Sequence, residues 1–301
     1  QGRAFGIWAG WTAVTTILGP FLGGVLVDLL SWRSAFLMNV PILALGVWVT
    51  LTRVEESRDE EASGRFDWAG AAIVALAVGG LGFGVIRGQE SQWSDATAFI
   101  GLVAGVVALV AIPIWTARAA HPLVPPSLFG SRNFTMINIA TLLIYGALYV
   151  IFYFVPVYLQ GVLGYNAAGA GIALAAAMIF IALFSPRFGK LGSRYGPRRF
   201  IAAGSFLMGL GVLWLARIPA VGASWVLELD RPSTLVPPGD ALIDVLPGMI
   251  LFGIGTTMMV APLTTVVMTS VPQHMAALAS AFNNAVSRVG PQLATAAIFI
   301  V

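Results

Sequence analysis

Apolar runs of about 20 residues, the length needed to cross a bilayer, recur along this chain. They fall at about 4–30, 34–52, 67–87, 97–117, 133–160, 167–186, 198–217, 242–270 and 277–301, separated by short polar stretches. The pattern predicts nine transmembrane helices and an all-α polytopic membrane protein. Composition agrees: 58% of residues are hydrophobic and only 10% charged, against about 25% charged in soluble domains. An odd number of spans, a first residue Gln1 close to a helix start and a last residue inside an apolar run predict a piece of a longer protein.

Charge then orients the spans. A net charge of +3 would suit nucleic acid, but the basic residues are scattered between apolar runs, so no nucleic-acid partner is expected and the bilayer itself is the partner. With the loop after the second span on the cytoplasmic side, that side holds eleven cations: Arg3, Arg53, Arg58, Arg65, Arg118, Arg132, Arg187, Lys190, Arg194, Arg198 and Arg199. The opposite side holds four, Arg33, Arg87, Arg217 and Arg231. Positive charge gathers on the cytoplasmic side, so odd-numbered spans run outward. Cysteine is absent, which removes disulfides, thiolate metal sites and cysteine nucleophiles.

Chemistry is then sought in polar and small residues within the spans. The first span carries Gly10, Gly19, Gly23 and Gly24, spaced to let another helix come close, and Pro20, which predicts a kink. Ser31-Trp32-Arg33-Ser34 forms a polar hinge into the second span. In the fifth span Thr141, Tyr145, Tyr149 and Tyr153 recur every four residues with Asn138 just before. Tyrosine joins an apolar ring to a polar tip, so this face suits amphiphilic organic molecules, or else packs against a neighbouring helix. In the ninth span Ser280, Asn284, Arg288 and Gln292 share one face, with Asn283 and Ser287 beside them. An intramembrane arginine costs about 2.5–3.5 kcal/mol on insertion scales, which predicts that Arg288 lines or latches a central path. Asn138, Tyr145, Tyr149, Asn284 and Arg288 are therefore the candidate transport-path residues. His121 and His274 lie in separate loops without a carboxylate cluster; no metal site, cofactor or catalytic residue is expected.

Several of these stretches resemble the major facilitator superfamily, in its fourteen-span drug:proton antiporter branch. Gly19-Pro20-Phe21-Leu22-Gly23-Gly24, with Gly10 upstream, is similar to the antiporter motif of the fifth helix. Trp32-Arg33, Phe36 and Asn39-Val40-Pro41 resemble the next hairpin. Thr15 and Ser34 depart from the pattern, the first loosening one packing contact. Pro186 to Arg199 resembles the G-x-L-x-D-R-x-G-x-R-R loop, with Ser193 in place of the usual Asp. That likeness implies a cytoplasmic latch loop of Gly189, Arg194, Gly196, Arg198 and Arg199. Pro247-Gly248, Gly253, Gly255 and Pro262-Leu263 resemble the pattern of a later helix, and Ala279-Ser280, Asn283-Asn284, Arg288 and Gly290 that of the thirteenth.

The resemblance implies major-facilitator-type helical bundles, with this chain covering roughly helices 5 to 13. By it, residues 1–52 are the last two helices of the N-terminal bundle and 53–66 a cytoplasmic linker. Residues 67–117 are an extra central helix pair, 118–132 a second linker, and 133–301 the C-terminal bundle without its final helix. It implies export of hydrophobic or amphiphilic small molecules in exchange for protons by alternating access, with the family's coupling carboxylate and arginine in helices before residue 1. A transporter-fold sensor or an inactive remnant is the alternative. An ATP-driven pump has no support, because Lys190 is the sole lysine and is followed by Leu, leaving no phosphate loop. A membrane-embedded enzyme lacks any G-x-S-x-G or H-E-x-x-H pattern.

Overall fold

A computed structural model describes residues 19, 21–54, 66–228 and 230–298, so most of the first predicted span, Gly10 and Pro20 included, lies outside the described residues. Residues 21–29 are helical (α1). There follow α2 (Trp32–Leu37), α3 (Asn39–Arg53), α4 (Trp68–Glu90), α5 (Ala96–Arg118), α6 (Arg132–Gly161), α7 (Ala167–Tyr195), α8 (Pro197–Leu215), α9 (Leu246–Thr269) and α10 (Ala276–Ile298). No strand occurs among the described residues.

Local chemistry fixes the helix starts. Asp67 accepts from the Gly70 N–H at 2.8 Å, Asp95 from that of Thr97 at 2.9 Å and Asn166 from that of Gly169 at 3.0 Å. Each satisfies an amide that the first helical turn leaves unpaired. Pro113, Pro156, Pro186, Pro262 and Pro291 all lie inside helices, as lipid-buried helices tolerate when neighbours re-satisfy the freed carbonyls.

Seven described elements are long and apolar enough to cross a membrane: Trp32–Arg53, Trp68–Glu90, Ala96–Arg118, Arg132–Gly161, Ala167–Tyr195, Pro197–Leu215 and Ala241–Thr269. The chain is a multi-pass membrane protein. At 23 residues α10 is long enough to span, but its amides, serines and Arg288 dilute its apolar character.

The described chain forms two compact units, and α6 and α9 each contribute to both. The first comprises the chain up to Asp59 and Ile151–Pro262. Within it α8 and α9 run antiparallel at backbone contact: a Cβ on Gly255 would lie 2.5 Å from the Met208 nitrogen, and Gly211 meets Gly248 and Phe252. α7 runs parallel to α9, with Ala177 against Gly253 and Gly192 against Pro262. Met249, Phe252 and Met259 are fully buried there. No side chain of α3 is buried.

The second unit comprises Glu60–Val150 and Leu263 onward. Its α4–α5 hairpin is joined through Gly80, Gly84, Gly101 and Gly105; a Cβ on Gly105 would lie 2.5 Å from the Leu81 nitrogen. Polar contacts close the hairpin at both ends. Arg87 pairs with Asp95 at 2.7 Å. At the other end Asp67 accepts from the Trp115 indole at 3.0 Å and from the Leu123 N–H at 3.1 Å. Both aspartates are held below the usual carboxylate range, Asp67 chiefly by the Gly70 N–H and Asp95 chiefly by the Thr97 N–H.

Candidate functional site

The polar residues of the fifth and ninth predicted spans meet within the second unit, at a seam between α6 and α10. Asn138 and Thr141 are buried there, at 6% and 0% exposure. Each donates to the carbonyl four residues back: Asn138 Nδ2 to Phe134 O at 2.8 Å, Thr141 Oγ1 to Ile137 O at 2.9 Å. Asn283 Nδ2 crosses from α10 and donates to Asn138 Oδ1 at 2.9 Å and to Thr141 Oγ1 at 2.8 Å. Further along, Gly290 abuts the Leu142 backbone, where a Cβ would lie 2.5 Å from the carbonyl oxygen, and Gly146 faces Gly290 and Ala294. Phe134 and Phe282 close the seam at its start, ring centroids 5.7 Å apart. Contacts advance together along both helices, so α6 and α10 run in the same direction.

The opposite side of α10 is largely exposed among the described residues, although α4 also packs against α10 and Gly82 lies beside Gln292. At about 100° per residue, positions 277, 281, 284, 285, 288 and 292 fall together, and all six are exposed. Ala279, Ser287 and Gly290 lie on the far side and are buried. The open stripe thus carries a guanidinium (Arg288), two amides (Asn284, Gln292) and three alanines. Arg288 forms no ion pair with a carboxylate among the described residues. Tyr145, half-buried on α6, lies within electrostatic reach of both Tyr149 and Arg288. Together these groups offer donors, acceptors and apolar surface side by side, the mixture an amphiphilic molecule requires.

Of the residues predicted to line a path, Asn284, Arg288, Tyr145 and Tyr149 are brought to this region, while Asn138 is not on its open side. It is sealed in the seam, and its amide serves helix packing. The four-residue repeat explains the split. Each step of four advances about 40° around a helix, so Thr141 is covered, Tyr145 half-covered, and Tyr149 and Tyr153 exposed at 38% and 53%.

The predicted latch loop is mostly helix. α7 continues to Tyr195, so Gly189 and Arg194 are helical and only Gly196 breaks the chain, at φ 92°. That left-handed backbone is the one position in this stretch that demands glycine. Gly189 and Gly192 serve packing instead, against Ala261 and Pro262 of α9. Ser193, in the place of the family's Asp, donates to the Gly189 carbonyl at 3.0 Å. Arg198 and Arg199 are exposed in the first turn of α8.

Of the antiporter packing motif, Gly10 and Pro20 lie outside the described residues. At Gly19 and Gly23 a Cβ would meet nothing within 4 Å, whereas at Gly24 it would lie 2.5 Å from the Ala167 carbonyl oxygen. One turn beyond Gly24, Asp28 accepts from the N–H groups of Ala167 at 3.2 Å and Ala168 at 2.9 Å. A carboxylate at a helix N-terminus is favoured by the helix dipole and by the unpaired amides there. The signal in the sequence is the spacing of four between Gly24 and Asp28, which puts both on one face of α1.

Comparison with known proteins agrees with this architecture. The sequence profile of the Major Facilitator Superfamily matches residues 1–295. Multidrug resistance protein Stp of Mycobacterium tuberculosis is 32% identical over 299 residues, covering 99% of this chain and 52% of that protein. Multidrug export protein EmrB of Escherichia coli is 33% identical over 288 residues, 93% of this chain and 52% of its own length. Fatty acid resistance protein FarB of Neisseria gonorrhoeae is 27% identical over 284 residues, with the shares again 93% and 52%. The chain spans about half the length of the curated relatives it matches.

Proposed function

The chain belongs to the Major Facilitator Superfamily and is a multi-pass protein of the cell membrane, and on that premise we propose that it is part of a secondary transporter exporting amphiphilic small molecules. The observation that carries this reading is the stripe of Asn284, Arg288 and Gln292 on the open side of α10, with Tyr145 and Tyr149 nearby. Charged and amide groups within a span are expensive unless they meet water or a ligand; the alanines between them leave room for apolar parts of a substrate. The names of Stp and EmrB support drug-like cargo.

In this proposal transport proceeds by alternating access. Residues 1–52 belong to one bundle, 133–301 to the other and 67–117 to an inserted pair, and the bundles rock about a site within the membrane. Gly24 and Asp28 hold α1 to the start of α7, a junction that opens on one side of the cycle. The exposed cations Arg194, Arg198 and Arg199 latch the cytoplasmic side. Protons are the coupling ion, taken up by residues outside this stretch.

The test is dye efflux from vesicles containing the full-length protein. A proton gradient drives efflux if the reading is right, and Arg288→Ala abolishes or re-tunes it while insertion stays intact. Unchanged efflux of every tested dye by Arg288→Ala would remove Arg288 from the path.

A further inference from the structure

We infer that Arg288 is an anion anchor, and that the molecules selected beside it are amphiphilic organic anions such as carboxylates, not amines. This rests on the transporter reading and adds to it the sign of the charge that is recognised.

Charge is placed unevenly in the second unit. Among the described residues of α4, α5, α10 and the part of α6 in this unit, Arg288 is the one charged side chain away from a helix end. The described carboxylates of the same unit stand at the ends of the α4–α5 hairpin, and each has a partner there. Asp67 accepts from Gly70, Trp115 and Leu123, Asp95 accepts from Thr97 and Arg87, and Glu90 faces Arg87 at 3.6 Å. A guanidinium keeps its proton in any protein environment, so Arg288 is a permanent positive charge within a span, exposed on its helix. Low dielectric makes such a charge costly alone and strengthens its attraction for an anion that reaches it. A cationic amphiphile would meet like charge at the same point.

Depth excludes lipid phosphate as the natural partner. Arg288 lies twelve residues after the start of α10 and ten before its last described residue, about 18 and 15 Å along the axis. The hydrocarbon core is about 30 Å thick, so headgroups stay near the helix ends and the anion must be a molecule within the membrane. The neighbouring groups suit the rest of that molecule. Ala281 and Ala285 share the exposed face with Arg288, and Tyr145 brings an aromatic ring from α6 within electrostatic reach of it. A guanidinium can hold a carboxylate through two parallel N–H groups, while alanine and ring surfaces receive the apolar body.

Three fluorophores of one skeleton test this: dansylglycine, a carboxylate at neutral pH; dansylglycinamide, its neutral counterpart; and dansylethylenediamine, a cation. Binding is read by fluorescence with purified full-length protein in phosphatidylcholine nanodiscs. The carboxylate should bind roughly ten- to a hundredfold more tightly than the amide, the worth of a hydrogen-bonded charge, and the cation more weakly than either. Arg288→Gln should bring carboxylate and amide to parity by weakening only the carboxylate. Ala285→Glu sets an internal carboxylate one turn from Arg288 on the same face; it should also remove the preference, and it carries the test if Arg288→Gln does not fold. Parity in the unmodified protein, tighter binding of the cation, no binding of any of the three, or a preference that survives in either variant overturns the inference. Failure of the transport reading shows up separately, as absent gradient-driven efflux with the preference for the carboxylate intact.

Discussion

Two helix pairs in the second unit are joined by the same device and present different surfaces. α4 and α5 touch through Gly80, Gly84, Gly101 and Gly105; α6 and α10 touch through Gly146 and Gly290. In lipid, where apolar side chains gain nothing by leaving the solvent, close backbone packing takes over the task of association. The hairpin keeps its polar contacts at its ends, in Arg87–Asp95 and Asp67–Trp115. The α6–α10 pair has polar groups along its length, with Asn138, Thr141 and Asn283 inside the seam and Arg288 on the open side. Glycines therefore mark contact in both pairs, and it is the mid-span polar atoms that mark a task.

The largest effects should come from breaking the contacts themselves. Gly290→Leu and Gly105→Leu each push a side chain into backbone at 2.5 Å, and overpacking of this kind costs about 1–3 kcal/mol or more. Thermal unfolding of the full-length protein should fall in both. Efflux per folded molecule should be lost only in Gly290→Leu; equal loss in both would erase the distinction between the pairs.

Charge comes next. Arg288→Ala removes a charged donor worth about 1.5–3 kcal/mol when it bonds a partner, so efflux should drop roughly ten- to a hundredfold with unfolding unchanged. Arg87→Ala, at the hairpin's exposed end, should leave efflux intact. Asp28→Ala strips two N–H groups of α7 of their acceptor and should cost about 0.5–2 kcal/mol, read as lower thermal stability and greater labelling of a cysteine placed at Ala167. No change in either would remove Asp28 from the junction.

The smallest effect concerns pH. The native values of Asp67 and Asp95 are depressed below the ordinary 3.8, so their contribution is complete above that value and is lost as pH falls through the native ones. The hairpin ends should hold at every pH above the ordinary value and loosen only in stronger acid. Fluorescence of Trp115, the indole on Asp67, would follow this in an acid titration.

How far the sequence could be read follows the physics of each signal. Spans announced themselves because a lipid-buried helix must be continuously apolar; α4 and α5 fall within three residues of their predicted limits. α7 overran its prediction by nine residues, ending at Tyr195 rather than 186. Pro186 and the basic residues after it look like a loop until Gly189 and Gly192 are found packed on α9. The burial of Asn138 against α10 was not legible, because a four-residue spacing shows which residues share a face but not which face a neighbour covers. Arg288 stood out because a guanidinium within a span is costly, and it is exposed on α10. The bonds from Asn283 were not legible either, because they depend on which residues of α6 have protons to spare.

A cysteine scan along α10, in a full-length protein free of other cysteines, tests the central claim most directly. Reaction with a water-soluble thiol reagent should peak at 281, 284, 285, 288 and 292, stay low at 279, 287 and 290, and be slowed at the reactive positions by a transported dye. Labelling that peaks at 279, 287 and 290, or that the dye leaves untouched, would contradict the assignment of this face to the transport path.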